Sequence, residues 1–496
     1  MITKALMLVL GSLTATGVAA PATTVESLIA DVEKRQSNAS GLTHVVPSSE
    51  VYTPASPLWA NDTARWSTFS APTFDLLFIP QTENDISEAL RGGHGYSATL
   101  KVIQKAVLIQ MQNFKDIRFN DDDTVTIGGA VKFEDFVTVL YQHGRELTVG
   151  SCICVGATGA MLGGGHGRLQ GKHGLTSDSL VSVRMVLWNG KIVDASETSN
   201  SDLFWAVRGA GHNFGVVISS TFRTYPQDNN GNHYNADMSF TGDSLEGVVM
   251  AINSLIPNQD SALAMDLLIF ADPTTLTPIV YLNLVYAGAE ADGQKYTAHF
   301  TNSSTITRNS LDETVVSFAD LDSTAAGGAI TAACTKGFRQ NTYTANLKAL
   351  DVITMRNLYN SYARLITANP LAANSLILFE VFGQQGITAK PSDTSAYANR
   401  GRENALALIE MIYSDDSVAE TVDSFARHWR DTLARPAVSG YDKQYVYENY
   451  AHGDEPLQAI YGYDGWRRRN LTAAKNKYDP KDNFNGYHNI PLNGEW

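Results

Sequence analysis

Hydrophobic and polar positions along the chain sort into two patterns. Phe74 to Pro80 is a continuous apolar run closed by proline, the mark of a buried strand. Thr82 to Leu90 then reads as a short helix with Thr82 as its cap, and it runs straight into Arg91-Gly92-Gly93-His94-Gly95-Tyr96. Ala106 to Met111 and Thr124 to Ile127 predict two more strands, and Phe133 to Gln142 a helix ended near Gly144. Leu180 to Leu187 alternates as a strand, meets the hairpin signal Asn189-Gly190, and returns through Lys191 to Ala195. Asp202 to Val207 predicts a helix, and Gly215 to Thr224 a strand stopped at Pro226. Beyond Gln227 the pattern changes. Met265 to Phe270, Ile279 to Tyr286 and Leu376 to Phe382 read as strands, the last carrying Glu380. Ala345 to Ala368 and Glu403 to Tyr413 read as amphipathic helices, and Gly465 to Tyr478 as a late helix ended before Pro480.

Glycine changes this picture. From Gly150 to Gly174 nine residues of twenty-five are glycine, against 39 in the 496 of the whole chain. Glycine that dense costs backbone entropy, so it persists where backbone bends tightly or approaches something closely. Cys152, Val155, Met161 and Leu162 thread the stretch, which marks it as packed rather than as a flexible linker. A formal net charge of −14 argues against nucleic acid, which needs clustered Lys and Arg, and against an anionic membrane surface. Residues 1 to 20 have the basic start, short apolar run and small-residue end of a signal peptide; the run is too short to span a bilayer. Four sequons, at Asn38, Asn61, Asn302 and Asn470, fit a secretory route. Of three cysteines, Cys152 and Cys154 are poorly spaced to pair with each other, Cys334 can pair with either, and one thiol is left over. A nicotinamide site is disfavoured, because Gly209-Ala210-Gly211-His212-Asn213-Phe214 lacks the final glycine and follows a helix. His166, His173 and His212 lack a compact metal-ligand spacing.

Several motifs recur here in one order: Gly92-Gly93-His94; Gly150-Ser151-Cys152 with Val155-Gly156; Gly163-Gly164-Gly165-His166-Gly167; Asp202-Leu203-Phe204-Trp205-Ala206 with Arg208-Gly209; and Phe214-Gly215-Val216-Val217. With Tyr447-Glu448-Asn449-Tyr450 and Lys477-Tyr478-Asp479-Pro480 near the end, the chain resembles, over about residues 50 to 490, the FAD-linked oxidases with a vanillyl-alcohol-oxidase (PCMH) type of FAD domain. Within them it is similar to the secreted fungal berberine-bridge-enzyme-like branch. That resemblance implies an α+β fold: a two-subdomain FAD-binding domain over residues 71–226 after a lead-in at 21–70, a substrate domain of antiparallel sheet and helices at 227–440, and a returning segment at 441–496.

It also implies chemistry. FAD is expected to be bonded through His94, with Cys152 as the candidate for a second bond. Around it the resemblance gathers Gly92, Gly93, Gly95, Val155, Gly156, Gly159, Gly163, Gly164, Gly165, Gly167, Gly215, Val216 and Asn483. Glycine-turn amides can cradle the pyrophosphate. Val155 matches a gatekeeper for oxygen, so O2 is the expected acceptor. Tyr450 matches the base that deprotonates substrate, Tyr447 sits beside it, and Glu380 is a further candidate facing the pocket. A phenol with pKa about 10 needs help from its neighbours to act near neutrality. The expected function is oxidation of a small organic molecule, with fungal secondary metabolism implied. The alternatives are a secreted oligosaccharide oxidase, and a catalytically impaired flavoprotein, since the family's further strand before the Gly-Gly-His turn is missing between Leu90 and Arg91.

Overall fold

The computed structural model describes residues 18–19, 50–89, 97–104, 106–329 and 334–496. Gly92, Gly93, His94, Gly95, Asn38, the junction from Leu90 to Arg91 and nearly all of the expected signal segment lie outside the described residues.

The fold is α+β. A small sheet pairs Phe74–Ile79 in parallel with Ala106–Ile109, and adds Glu50–Tyr52 and Val18–Ala19 antiparallel at its two edges. A second, antiparallel sheet runs in the order Ile117–Phe119, Thr124–Gly128, Val216–Arg223, Leu180–Val186, Ile192–Ser196. Phe78 and Ile109 of the first sheet meet Val186, Val216 and Ile218 of the second in one buried cluster, which Phe484 of the tail completes. The other face of the second sheet is covered by the helices Phe133–Gln142 and Ser201–Ala210. Gly190 has φ +82° whereas Asn189 does not, so the hairpin closes through a three-residue loop with a left-handed glycine rather than the two-residue turn that Asn-Gly signals.

The larger sheet has seven antiparallel strands in the order Arg308–Ser317, Asn232–Phe240, Pro278–Tyr286, Leu263–Ala271, Leu376–Phe382, Ala405–Tyr413, Arg339–Leu347. One face packs against the helices Leu245–Leu255, Val352–Ala368 and Ala419–Leu433. The opposite face meets Leu175, Tyr397, Tyr447 and Tyr450, and so turns toward the Gly-rich segment and the tail. The tail then returns to the second sheet's core through Val446, Ile460, Leu471 and Tyr478. Among the described residues no helix is long and apolar enough to cross a membrane.

Two expectations are corrected. Glu403 to Tyr413 is not a helix, because Ala405–Tyr413 is a strand buried along its whole length between two neighbours. A segment apolar on both faces has no period that separates helix from strand. Ala345 to Ala368 divides: residues through Leu347 end a strand, and the helix begins at Val352, where Asp351 accepts from Thr354 N at 2.8 Å. Asn232–Phe240 and Arg308–Ser317 escape detection because they are rich in polar residues. Arg308–Ser317 is the exposed edge, and Asn235 and Asp237 are buried in a side-chain network with Asn283.

Candidate active site

The two halves enclose a cleft lined by both, with about 710 Å³ of space between its walls when its open mouth is included. Gly150, Ser151, Cys152 and Val155 form one wall; Asp266, Leu268, Leu378, Glu380 and Leu408 of the large sheet form the opposite one. His166, Arg168, Tyr447 and Tyr450 lie where the walls meet.

Glycine makes the first wall possible by packing. Gly164 and Gly165 have φ +116° and +84°, and a Cβ on Gly165 would stand 2.4 Å from Thr176 Oγ1. A Cβ on Gly167 would stand 1.8 Å from Val149 O. That tight turn carries His166 and Arg168 into the cleft. The amides here find acceptors within the protein: Gly164 N donates to Met161 O, Gly165 N and His166 N to Tyr447 Oη at 3.2 Å, and Gly167 N to Gln170 Oε1 at 3.3 Å. The Gly163–Gly167 turn thus supports Tyr447, with these amides engaged inside the protein. Gly163 leaves room for Asn449, whose Nδ2 donates to Tyr447 Oη at 2.7 Å. Three donors and burial lock the Tyr447 ring, and burial raises its phenol above the usual value.

Tyr450 is different. Its hydroxyl donates to Glu380 Oε1 at 3.3 Å, from the tail to the large sheet. Burial and then the Asp266 carboxylate push Glu380 up to about 7. Burial also raises Asp266 and Asp322 to about 6, against the Arg168 guanidinium that binds both. Burial opposes the charged form of His166, but Glu403 at 3.1 Å overrides it and raises the imidazole. Tyr397 Oη lies 2.7 Å from the same His166 nitrogen and donates to Glu403.

Cys154 and Cys334 form the disulfide, with Cα atoms 5.8 Å apart, and Cys152 lies outside it with its Sγ 3.6 Å from Cys154 Sγ. The bridge ties the Gly-rich wall to the region that carries Asp322 and Ala326.

The structure thus brings Cys152, Val155, Glu380, Tyr447 and Tyr450 to one cleft. Gly156 caps the helix Ala157–Leu162 and Gly159 lies within it, just behind the first wall. Gly215, Val216 and Asn483 do not line the cleft. A Cβ on Gly215 would stand 2.5 Å from Val186 O, Val216 belongs to the cluster between the two smaller sheets, and Asn483 N donates to Asp479. The sequons Asn61, Asn302 and Asn470 are exposed. Missed in the sequence were Arg168, Asp266 and Asp322. A signal existed for Asp266, a lone carboxylate inside the apolar run Leu263–Ala271, the same signal that marks Glu380.

A flavin fits the first wall. Gly150, Ser151, Cys152 and Val155 are small, and the Cys152 thiol, outside the disulfide, faces the same cleft.

A family model described as an FAD binding domain matches residues 75–196. The chain is 32% identical over 433 residues to the FAD-linked oxidoreductase azaL of Aspergillus niger, covering 84% of this chain and 90% of that one. It is 32% identical over 464 residues to the FAD-linked oxidoreductase anuG of Penicillium roqueforti, covering 89% of each. Among solved structures it is similar to a glucooligosaccharide oxidase from Acremonium strictum, described as carrying 6-S-cysteinyl, 8α-N1-histidyl FAD. The TM-score is 0.75 at 21% identity, over 90% of this chain and 98% of that one. At such identity the likeness concerns the fold.

Proposed function

The chain belongs to the FAD-linked oxidoreductases, and from that premise we propose that it is an oxidase whose Tyr450 takes the proton of a substrate hydroxyl. It is an enzyme that binds FAD. The bound flavin supplies the hydride acceptor. His94 is its proposed attachment, with Cys152 for a second bond, and O2 its proposed reoxidant. Residues 71–226 with 441–496 are the proposed FAD unit, and 227–440 the substrate unit.

The observation that carries this reading is the contact of Tyr450 with Glu380 across the cleft from Cys152 and Val155. As the Tyr450 oxygen takes a substrate proton, its own proton passes along the existing hydrogen bond to Glu380. Burial lifts Glu380 to about 7, which suits a group that accepts a proton near neutrality. Tyr447, already accepting three N–H groups, positions the Gly-rich turn and takes no proton.

Absorbance of the purified protein and anaerobic titration with alcohols test the reading. Bleaching of flavin bands by substrate, then recovery in air with peroxide released, is expected; bands that no substrate bleaches would instead favour the impaired flavoprotein. Colour that stays with acid-precipitated protein, and flavin on a peptide holding His94 or Cys152, tests the attachment. The secondary-metabolism setting is supported by the fungal relatives, and the secretory route by the N-terminal run and the sequons. Only the likeness of fold supports the oligosaccharide alternative.

A further inference from the structure

The cleft wall built by the large sheet carries two rows of side chains with opposite character. Antiparallel pairing sets Asp266 directly opposite Glu380. Two residues along, Leu268, Leu378 and Leu408 form a second rung on the same face, because side chains alternate along a strand. Both rungs border the cleft. Like charges directly opposite on neighbouring strands destabilise a sheet, so packing alone gives no reason for the first rung. Arg168 offsets part of that cost, with a guanidinium nitrogen 3.4 Å from Asp266 Oδ2 and Asp322 on its other side. Tyr450 serves Glu380 Oε1. Asp266 Oδ1 and Glu380 Oε2 remain, on side chains more than nine-tenths buried, with no hydrogen-bond partner. Such atoms bear the full cost of an unmade hydrogen bond until a ligand supplies donors.

We propose that the Asp266–Glu380 rung is the polar seat of the substrate, and that the substrate is a hydroxyl on an apolar body covered by Leu268, Leu378 and Leu408, not a carboxylate and not an oligosaccharide. This rests on the cleft being the site of oxidation. The charged and titratable groups facing the rung are Arg168 from the Gly-rich segment, Asp322 from the disulfide-bound region, Asp237 from the same sheet, His166 with its partner Glu403, and Tyr447 and Tyr450 from the tail. Asp266, Asp322 and Glu380 face Arg168, and any charge on His166 is matched by its own partner Glu403, so a ligand carboxylate would add to an excess of negative charge. Burial and mutual repulsion leave the rung partly protonated near neutrality, so it can both donate to and accept from a hydroxyl. An oligosaccharide carries hydroxyls around the whole rim of each ring, and those that reach the three leucines would be buried without partners.

Binding to the flavin-loaded enzyme tests this, followed by saturation-transfer NMR with benzyl alcohol, benzyl methyl ether, benzoate and cellobiose as probes. Benzyl alcohol is expected to bind about tenfold tighter than each of the others, the fold-change that one net hydrogen bond supplies. Asp266→Asn, which removes one negative charge, should narrow the gap between benzoate and benzyl alcohol several-fold; Glu380→Gln carries the same expectation should the first variant misfold. Benzoate or cellobiose binding as tightly as benzyl alcohol, no binding by any probe, or an unchanged gap in both folded variants would overturn the inference. If cellobiose binds and bleaches the flavin, the inference fails while oxidation at this cleft stands. If the preferences hold but Tyr450→Phe reduces flavin as fast as the wild type, the assignment of the chemistry fails and the binding inference stands.

Discussion

The Gly-rich segment and the large sheet face each other across one cleft, and they encode their walls differently. The glycine wall is written in backbone. Gly164 and Gly165 adopt positive φ, and a side chain on Gly167 would collide with Val149 O. The sheet wall is written in side chains on an ordinary backbone, where the row Asp266–Glu380 and the row Leu268–Leu378–Leu408 could change without altering a dihedral angle. A wall of the first kind accepts little variation and serves a constant ligand. A wall of the second kind can be rewritten, and it suits the choice of substrate. Tyr450 joins them, anchored in the tail and bonded to the sheet.

The hardest test of this division is Tyr450→Phe. The ring and its packing remain, so stability should change little. Anaerobic flavin reduction should fall roughly a hundredfold to ten-thousandfold, the usual contribution of a general base. Reoxidation in air should be unaffected. Reduction at the wild-type rate would remove Tyr450 from the chemistry and leave Glu380 as the base to test.

Next in size is the covalent link that holds the glycine wall to the segment leading into the sheet's edge strand Arg339–Leu347. Cys154–Cys334 spans 180 residues of sequence. The double variant Cys154→Ser with Cys334→Ser should lose about 2–5 kcal/mol in urea unfolding, the range for removing a native disulfide. A reductant should weaken the wild type by a similar amount and leave the variant unmoved. If the variant is as stable as the wild type, the glycine wall is held by packing alone.

The same contrast explains what could be read in the sequence. The glycine wall was legible as a motif, and with it the cofactor class, because a backbone requirement leaves few residue choices. The helices Phe133–Gln142 and Gly465–Tyr478 and the strand Leu376–Phe382 were legible to the residue. The sheet was less so. Ala405–Tyr413 is apolar on both faces and shows no period, and Arg308–Ser317 is an exposed edge whose polar residues hide it. Register was not legible at all: nothing in either strand alone says that Asp266 stands opposite Glu380. The packing role of the Gly163–Gly167 turn was equally hidden, since it depends on Tyr447 arriving from 282 residues beyond Gly165.

A smaller effect sharpens the sheet's side of the comparison. Glu410 lies in the same sheet, buried, with Oε1 unpartnered, and burial raises it to about 8. A carboxyl whose folded pKa is raised favours folding while protonated in both states. That contribution is complete below the unfolded value near 4.5 and is lost as pH rises through 8. Glu380 acts alike up to about 7. His233 and His452, pushed down to about 4 by burial, act oppositely: their contribution is complete above 6.5 and is lost as pH falls toward 4. Stability should therefore peak in mildly acid buffer. Glu410→Gln should raise it by roughly 2–4 kcal/mol at pH 8 and change it little at pH 5, because the pKa shift is the linkage free energy. Denaturant midpoints at the two pH values check this. An equal effect at both would mean that Glu410 has a partner when ionised, and that among these sheet carboxyls the Asp266–Glu380 rung alone bears an uncompensated burial cost.

The smallest expected effect is the most pointed. Val155 is 3% exposed, with its backbone fixed on both sides: its carbonyl accepts from Phe133 N at 3.0 Å and its amide donates to Cys152 O at 3.2 Å. Its side chain borders the cleft. Val155→Leu adds one methylene toward open space, so it should cost less than the roughly 1–3 kcal/mol of overpacking a closed core. If the glycine wall serves cofactor and oxygen while the sheet chooses the substrate, the added methylene should slow reoxidation in air severalfold. Flavin reduction by substrate should stay within about twofold, because an interaction missing from one half-reaction leaves the other alone. Stopped-flow measurement of the two half-reactions separates them. Should both fall together, Val155 bounds the substrate as well, and substrate choice would be shared by the two walls instead of residing in the sheet.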